Sequence, residues 1–280
     1  MIYTMDCQIR IDDCSYEDKA SDKGLLSIFE EIASRHSTEA GIGPHEIITE
    51  KRAWVILNWH MQVKRRPSYT EKLKVSTWAI RMDRFFADRG ACMRDQDGEI
   101  IAIAYSRWIL TDVEKRRPIM FNPDEVSKYK PEYGLIPSFD MDLGLLDRGG
   151  CDAAFGDDSI SDDKLKAMAE APILNSYSIA KDFQVASDAV VSEYKIARAD
   201  VDMVGHLHNI DYLKIALETI DEESYMTRTY NDYNIIFEKE IRKGDQLKLC
   251  TWHSPCQGRD KIEVAFLVDN RVRALVELME

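Results

Sequence analysis

Two eight-residue stretches that lie far apart in the chain are almost the same. Residues 71–78 read EKLKVSTW and residues 245–252 read DQLKLCTW, with leucine, lysine, threonine and tryptophan in the same register. Both alternate apolar and polar side chains, which is the pattern of a β-strand with one buried face. A strand that occurs twice predicts an internal duplication, which constrains the fold more than any single motif does.

The segments around the two octets follow one order. In the first half, a strand-like stretch precedes a predicted helix on which Leu25, Phe29 and Ile32 share one face, and Gly41 is suited to end that helix. In the second half, a strand precedes a helix with Leu213 and Leu217 on one face. The predicted helices are 23–43 and 209–221, and the predicted strands are 3–11, 53–65, 71–83, 85–95, 99–112, 192–200, 232–241, 245–254, 261–269 and 271–280. The order of strand, loop, helix and strands therefore occurs twice.

This order predicts an α+β fold. An antiparallel sheet wrapped around one long central helix is the hot-dog architecture, so the duplication predicts a tandem (double) hot-dog. The predicted domains are an N-terminal hot-dog unit at residues 1–135, an acidic connector at residues 136–180 and a C-terminal hot-dog unit at residues 181–280. Within the connector, residues 162–171 (DDKLKAMAEA) fit a short helix.

The composition argues against several classes of protein. A net charge of −13 and a pI of about 5.0 disfavour nucleic acid or an anionic membrane as the main partner. No apolar run approaches the roughly 18 residues of a transmembrane helix. The opening residues, MIYTMDCQIRIDD, lack the features of a signal peptide. We therefore expect a cytoplasmic protein that acts on neither nucleic acid nor membrane.

The densest polar cluster lies at residues 197–209, ARADVDMVGHLHN, between a predicted strand and a predicted helix. Its members are Asp200, Asp202, His206, His208 and Asn209. Free N–H groups at a helix start can hold an oxyanion, and a nearby carboxylate can activate water or attack directly. Gly205 lets the backbone approach a ligand closely. Taken singly, these residues fit helix caps or exposed loop positions, but together they favour a catalytic site.

The first half provides an internal comparison for this cluster. Its matching loop at residues 12–24, DDCSYEDKASDKG, is acidic but contains no histidine and no Gly-His step. If the duplication is real, we expect only the second copy to carry the chemistry.

The loop RADVDMVGHLHNIDYL resembles the signature loop of hot-dog thioesterases, Asp-x-x-Gly-His-(Val/Leu)-x-Asn-x-x-Tyr-(Leu/Ile). Together with the tandem layout, SRWILTDVEKRRP and IIFEKEIRKGDQL make the chain similar to the acyl-acyl-carrier-protein (acyl-ACP) thioesterase family. The resemblance covers most of the chain apart from the connector. It implies hydrolysis of the thioester that joins a fatty acyl chain to carrier protein, with no cofactor and no metal.

When the family's residues are carried across by position, its catalytic carboxylate falls on Asp202, its histidine on His206 and its strand glutamate on Glu240. We expect the backbone N–H groups of Gly205 and His206 to stabilise the oxyanion, with His208 and Asn209 as possible accessory residues. Two positions depart from the family pattern: its catalytic asparagine falls on Val204, and the cysteine of the plant members falls on Ile241. Valine can neither orient water nor polarise a carbonyl group.

The residues leave several alternatives open. The Asp-Met-Val-Gly-His run of the loop is also close to single-domain acyl-CoA thioesterases, and Val204 favours a catalytically weakened protein that binds acyl chains. A hot-dog dehydratase is a further alternative, although it spaces its acid and base differently. Acyl carrier protein is acidic, so the basic runs at residues 64–66 and 115–117 are candidate contacts for it. Since two fused units already replace the usual dimer, both a monomer and a homodimer are compatible with the sequence.

Overall fold

The computed structural model describes residues 1–137, 139, 178–256 and 259–280. The chain divides into two compact units, the first comprising Met1–Ile56 and Gln62–Asn175 and the second comprising Leu57–Met61 and Ser176–Glu280. The predicted connector lies almost entirely outside the described residues, and the helix predicted at 162–171 lies wholly outside them. None of the described helices is both long enough and apolar enough to cross a bilayer.

The first unit is an antiparallel sheet with one long helix. Its strand order is β1-β3-β4-β5-β2, and the short β6 pairs with β5. The strands are β1 (Tyr3–Gln8), β2 (Arg52–Val63), β3 (Lys72–Asp83), β4 (Phe86–Arg94), β5 (Ile100–Asp112) and β6 (Arg117–Pro118). The helices are α1 (Asp22–Glu39), α2 (Pro44–Glu50) and α3 (Pro123–Tyr129).

Helix α1 forms where the apolar period predicts it. Ser21 caps its start by accepting a hydrogen bond from the backbone N–H of Gly24 at 3.0 Å. Leu25, Phe29 and Ile32 are completely buried. Gly41 follows the helix with a φ of +76°, a conformation that glycine adopts without steric cost.

The second unit repeats the strand order as β7-β9-β10-β11-β8. Its strands are β7 (Val190–Tyr194), β8 (Asp232–Phe237), β9 (Leu247–Cys256), β10 (Arg259–Val268) and β11 (Arg271–Met279), and its helices are α4 (Asp211–Leu217) and α5 (Glu222–Thr227). Residues 57–61 of β2 belong to this unit as well, so a short piece of the first half of the sequence is part of the second unit.

The two octets occupy the same place in the two units. The first forms most of β3, between β1 and β4, and the second forms most of β9, between β7 and β10. Each begins with an acidic side chain that closes the preceding turn: Glu71 accepts from the Ser68 N–H at 3.0 Å, and Asp245 accepts from the Arg242 N–H at 2.8 Å. The repeated sequence is therefore one strand and its preceding turn, present twice.

The second helix differs from the prediction. The pattern predicted one helix over 209–221, but α4 is only seven residues long and ends at Leu217. The N–H groups of Thr219 and Ile220 bond to residues three positions back, which tightens the chain into a turn. Asp221 then caps α5 by accepting from the Ser224 N–H at 2.9 Å. The predicted extent of this helix, 209–221, is therefore wrong, because the Asp221 cap starts a new helix.

Candidate functional site

The loop between β7 and α4 folds back on itself. A 3-10 turn at Arg198–Asp200 leads into Val201, which pairs with Leu207 as an isolated bridge. Between them, the Asp202 N–H donates to the His206 carbonyl oxygen at 2.8 Å, and the Gly205 N–H donates to the Asp202 carbonyl oxygen at 3.1 Å. Gly205 adopts a φ of +86°, so glycine suits this tight turn.

The loop between β1 and α1 in the first unit has the same backbone hydrogen bonds. The Ser15 N–H donates to the Lys19 carbonyl oxygen at 2.8 Å, as the Asp202 N–H donates to that of His206 at 2.8 Å. The Ala20 N–H donates to the Pro67 carbonyl oxygen at 2.9 Å, as the Leu207 N–H donates to that of Ile241 at 2.8 Å. The Ser21 N–H donates to the Asp13 carbonyl oxygen at 2.8 Å, as the His208 N–H donates to that of Asp200 at 2.8 Å. The bridges Cys14–Ala20 and Lys19–Ser68 likewise match Val201–Leu207 and His206–Arg242. Position by position, Ser15 therefore corresponds to Asp202 and Lys19 to His206.

Asp200 has a structural role that both units share. Its Oδ2 accepts from the Ala197 N–H at 2.7 Å, as Oδ2 of Asp13 accepts from the Arg10 N–H at 2.9 Å. Burial by itself raises the pKa of Asp200, but hydrogen bonds from the Lys214 ammonium, the Ala197 N–H and the Tyr194 hydroxyl outweigh it and lower the pKa. Of the two acidic residues in the cluster, Asp200 thus holds the turn in place.

Asp202 has no acidic counterpart in the first unit. Its Oδ1 accepts from the N–H groups of Val204 and His206, both at 2.9 Å, which fixes the carboxylate within the turn. Its second oxygen, Oδ2, accepts no hydrogen bond from the part of the chain that the structure describes. Half-buried at the turn, Asp202 can therefore present one carboxylate oxygen to a ligand.

His206 and Glu240 lie close together. The bridge between His206 and Arg242, with the hydrogen bond from Leu207 to Ile241, holds the loop against the segment that carries Glu240. Burial of Glu240 opposes ionisation, but its own backbone N–H, the proximity of the His206 ring and the Arg242 guanidinium outweigh it and lower the pKa. Glu240 follows the end of β8 at Phe237, so it lies on a loop and not on the predicted strand.

Tyr212 lies behind the cluster, and sequence reasoning did not assign it to the site. Only 3% of the residue is exposed, and burial followed by the charges of Asp202 and Glu240 raises the pKa of its hydroxyl. A hydrogen bond with the Ile241 backbone acts in the opposite direction. Tyr212 is the tyrosine of the signature pattern, which is the signal that could have found it.

The predicted oxyanion donors are already used inside the loop. The Gly205 N–H donates to the Asp202 carbonyl oxygen at 3.1 Å, and the His206 N–H donates to Oδ1 of Asp202 at 2.9 Å. The expectation that Gly205 and His206 offer their N–H groups to a substrate therefore does not match this structure. The physical reason is the turn itself, which needs both bonds to close.

The remaining predicted residues occupy different surroundings. Val204, at the family's asparagine position, is 40% exposed at the tip of the turn and has no polar side-chain atom. His208 is half-buried, and its backbone carbonyl accepts from the Asp211 N–H at 2.9 Å. Asn209 is also half-buried, and its Oδ1 accepts from the indole N–H of Trp59 at 3.2 Å. Trp59 was not among the residues predicted for the site.

Comparison with solved structures gives the fold. The chain superimposes with a TM-score of 0.78 on a protein of Lactobacillus plantarum provisionally described as an oleoyl thioesterase, at 16% identity, over 100% of this chain and 95% of that one. It superimposes with a TM-score of 0.73 on an acyl-ACP thioesterase from Bacteroides thetaiotaomicron, at 19% identity, over 99% and 97% of the two chains. These similarities, together with the repeated strand order, confirm the predicted tandem hot-dog fold.

Sequence comparisons give the family. Residues 1–129 match the acyl-ACP thioesterase N-terminal domain, and residues 184–272 match the acyl-ACP thioesterase C-terminal domain. The chain is 23% identical over 228 residues to the chloroplastic oleoyl-acyl carrier protein thioesterase 2 of Arabidopsis thaliana. The aligned region covers 79% of this chain and 54% of the relative. The chain thus spans about half the length of the curated relatives it matches. With both family domains matched in order, the chain belongs to the acyl-ACP thioesterase family.

Proposed function

We propose that the protein hydrolyses fatty acyl-ACP to a free fatty acid and the carrier-protein thiol. The observation that carries this proposal is the internal comparison of the two loops. The first unit forms the same backbone hydrogen bonds with Ser15 and Lys19 in the places of Asp202 and His206. Because the loop folds without this acid and this histidine, their presence in the second unit favours chemistry over architecture. Family membership supports an acyl-ACP thioester as the substrate.

The geometry supports a hydrolysis that starts at Asp202. Its Oδ2 takes a proton from a water molecule, and the water oxygen attacks the thioester carbonyl carbon. The carbon–sulfur bond of the tetrahedral intermediate then breaks, and the carrier-protein thiolate leaves and is protonated. His206, whose backbone is tied to Asp202, orients the carboxylate and the water, and Glu240 lies beside it. A direct attack by the Asp202 carboxylate, followed by hydrolysis, uses the same residues.

Release of free thiol from a panel of acyl-ACP and acyl-CoA substrates tests this proposal. We expect faster release from carrier protein than from CoA. The opposite preference would favour an acyl-CoA thioesterase. Tight acyl binding without thiol release from either donor would exclude hydrolysis and leave a protein that only binds acyl chains, the outcome that Val204 favours.

Restoring the family's asparagine at Val204 is expected to increase turnover. Val204 is exposed at the tip of the turn, so asparagine can be placed there without disturbing the core. A polar side chain next to Asp202 can help to orient water. We expect Val204→Asn to raise kcat by about tenfold, less than the roughly 10²- to 10³-fold of a fully positioned donor, because an exposed side chain is less well fixed. The measurement is kcat beside that of Val204→Thr, which has a similar shape. An unchanged kcat in both variants would show that the site works without a polar group at this position.

The two basic runs differ in their availability to an acidic carrier protein. Arg65 pairs with Glu71 at 2.8 Å and with Asp95 at 3.0 Å, and Arg66 pairs with Asp22. The run at residues 64–66 is therefore largely neutralised within the fold. In the run at residues 115–117, Lys115 pairs with Asp112 at 3.2 Å, whereas Arg116 and Arg117 form no ion pair with any described residue.

We assign the carrier-protein contact to the hairpin around Arg116 and Arg117. Both arginines are exposed, and Val113 and Met120 beside them are 41% and 57% exposed. A charged rim next to apolar side chains fits a protein partner of opposite charge.

Charge reversal at this hairpin is expected to weaken carrier-protein recognition. We expect Arg116→Glu/Arg117→Glu to raise KM for acyl-ACP roughly tenfold at low salt and to leave kcat for acyl-CoA unchanged, because rim charges act mainly on association. Lys248→Glu/Arg271→Glu, a pair of exposed residues in the second unit, changes the net charge equally and serves as the control. Equal KM values for the two double variants would rule out this hairpin as the contact.

We also propose a cytoplasmic location and a carrier-protein partner in the same compartment, with the chain acting as a monomer of fused units or as a homodimer. The plant relatives are named as chloroplastic. Cell fractionation checks the location, and light scattering checks the oligomeric state.

A further inference from the structure

A positively charged side chain is buried inside the first unit without an acidic partner. Arg89 lies on β4, and the residue is only 8% exposed. Its guanidinium donates to Nδ1 of His36 at 2.9 Å, to the Thr77 hydroxyl at 3.2 Å and to the Ser37 hydroxyl at 3.5 Å. It also lies 5.9 Å from the centre of the Tyr129 ring. No aspartate or glutamate in the part of the chain that the structure describes forms an ion pair with Arg89.

The preceding residue of β4 has the partners that a buried charge normally has. Asp88 points to the opposite face of the sheet, and its completely buried carboxylate pairs with Arg81 at 2.9 Å and with Arg107 at 2.7 Å. A buried charge is costly unless an opposite charge and hydrogen bonds compensate it. Arg89 has hydrogen bonds to neutral groups, but it lacks the opposite charge.

His36 is a buried donor beside this charge. A guanidinium can only donate, so Nδ1 of His36 accepts and the neutral ring carries its proton on Nε2. Burial and the charge of Arg89 lower the pKa of His36 to about 3, so the ring is neutral at neutral pH. Among the described residues, Nε2 has no hydrogen-bond partner. His36 therefore offers an N–H group that no acceptor of the fold satisfies.

The Tyr129 hydroxyl is a second buried group without a hydrogen bond. The residue is 1% exposed, and its ring meets that of His36 edge to face, with the centroids 5.2 Å apart. Burial raises the pKa of the hydroxyl, and Arg89, Ser37 and Trp54 act in the opposite direction. Its oxygen nevertheless forms no hydrogen bond of ordinary geometry with any described residue. Arg89, His36 and Tyr129 are thus in mutual contact and have more donors than acceptors.

We propose that Arg89, His36 and Tyr129 form a binding site for a small monovalent anion, either a halide ion or a carboxylate group, inside the first unit. Such an anion supplies the negative charge that Arg89 lacks and an acceptor for the N–H of His36 and the hydroxyl of Tyr129. Because His36 is neutral, the cluster has a single positive charge, which matches a monovalent ion better than a phosphate or a sulfate. All three residues belong to the first unit, whereas Asp202 belongs to the second, so the site does not depend on the proposed hydrolysis.

Thermal unfolding at constant ionic strength tests the site. Sodium gluconate, whose anion is too large for a buried site, is replaced stepwise by sodium chloride, sodium acetate or sodium octanoate. An anion that binds only the folded protein, present at about 100 times its Kd, should raise the melting temperature by about 5 °C. An unchanged melting temperature with all three salts would overturn the proposal.

The three salts also distinguish the two sources of the anion. Similar midpoints for chloride and acetate would identify a free small ion as the ligand. A midpoint for octanoate that is at least about tenfold lower than that for acetate would identify the carboxylate end of an apolar chain, because the added methylene groups contribute only where they are buried.

Arg89→Met separates this site from general effects of salt. Methionine is apolar and fills much of the same space, and we expect this variant to lose the rise in melting temperature. Arg81→Met is the matched control, because Arg81 lies on the neighbouring strand β3 and is paired with Asp88 at 2.9 Å. We expect Arg81→Met to keep the full rise. The same rise in Arg89→Met as in the wild type would overturn the proposal.

Two further measurements do not require Arg89→Met to fold. Tyr129→Phe removes one hydroxyl, and we expect it to raise the Kd of the bound anion about tenfold, as expected for a hydrogen bond to a charged group. Crystals of the wild-type protein grown with sodium bromide or with sodium octanoate should show bromide or a carboxylate between the Arg89 guanidinium and Nε2 of His36. An unchanged Kd in Tyr129→Phe, or neither anion at this position in the crystals, would overturn the proposal.

Discussion

Asp202→Asn is expected to lower kcat for acyl-ACP by about 10²- to 10⁴-fold, the usual contribution of a general base. An asparagine oxygen can still accept the N–H groups of Val204 and His206, so the turn should keep its conformation. What the variant loses is the negative charge on the second oxygen, which the mechanism needs to take a proton from water. The measurement is thiol release at saturating acyl-ACP, with the melting temperature recorded on the same preparation.

Asp221→Asn is the matched control for this variant. Asp221 also accepts a backbone N–H, that of Ser224 at 2.9 Å, and asparagine caps a helix about as well as aspartate does. We expect its kcat to equal that of the wild type. If Asp202→Asn retained wild-type kcat as well, the assignment of Asp202 as base or nucleophile would be wrong, even though its position in the loop would stand.

Asp200→Ala is expected to lower the free energy of unfolding by about 3 kcal/mol, the lower end of the range for breaking a buried ion pair. The Asp200 side chain is 4% exposed and lies 2.8 Å from the ammonium of Lys214, which is 32% exposed and keeps only Asp211, at 3.2 Å, as an acidic partner. The Tyr194 hydroxyl and the Ala197 N–H lose their acceptor as well. Urea unfolding of both proteins at neutral pH measures the difference.

The equivalent aspartate in the first unit provides the comparison. Asp13 is ion-paired with Arg10, but the Arg10 side chain is 71% exposed and can return to water when its partner is removed. We therefore expect Asp13→Ala to cost less than Asp200→Ala. An equal or larger loss from Asp13→Ala would show that the backbone caps, and not the Lys214 ion pair, account for the stabilisation.

The contribution of Asp200 also has a defined pH dependence. Because its pKa is lower in the folded protein than in the unfolded chain, its stabilisation is complete above the unfolded value of about 3.9. It is lost as the pH falls through the lower, folded value. The difference in unfolding free energy between wild type and Asp200→Ala should thus be constant between neutral pH and about pH 5, and it should shrink below about pH 4.

Local periodicity predicted much of the fold because most of the strands and α1 are specified by their own residues. The alternation in EKLKVSTW and DQLKLCTW gave both strands and their common place in the sheet. The length of α4 could not be read in this way, since the apolar period continues through Ile220 while the cap at Asp221 competes with it. A cap depends on one side-chain hydrogen bond, which periodicity does not report.

The sequence predicts residues for the candidate site, but it does not predict their contacts. The family resemblance predicts Asp202, His206 and Glu240 as site residues. The use of the Gly205 and His206 N–H groups within the turn depends on the three-dimensional path of the backbone, which the resemblance does not report. The contact between Trp59 and Asn209 joins residues 150 positions apart, and neither residue type nor spacing indicates such a pair. Only the fold brings these two together.

The inclusion of residues 57–61 in the second unit has a consequence for how such a chain can change over time. After a gene duplicates and fuses, each copy could in principle be lost, exchanged or expressed alone. Here the first half of the sequence lacks the acid and the histidine at the matching loop positions, but it contains Trp59, which contacts Asn209 in the second unit. A cut between the two halves would therefore remove this contact. The second half could therefore not be inherited as a separate gene without losing this contact.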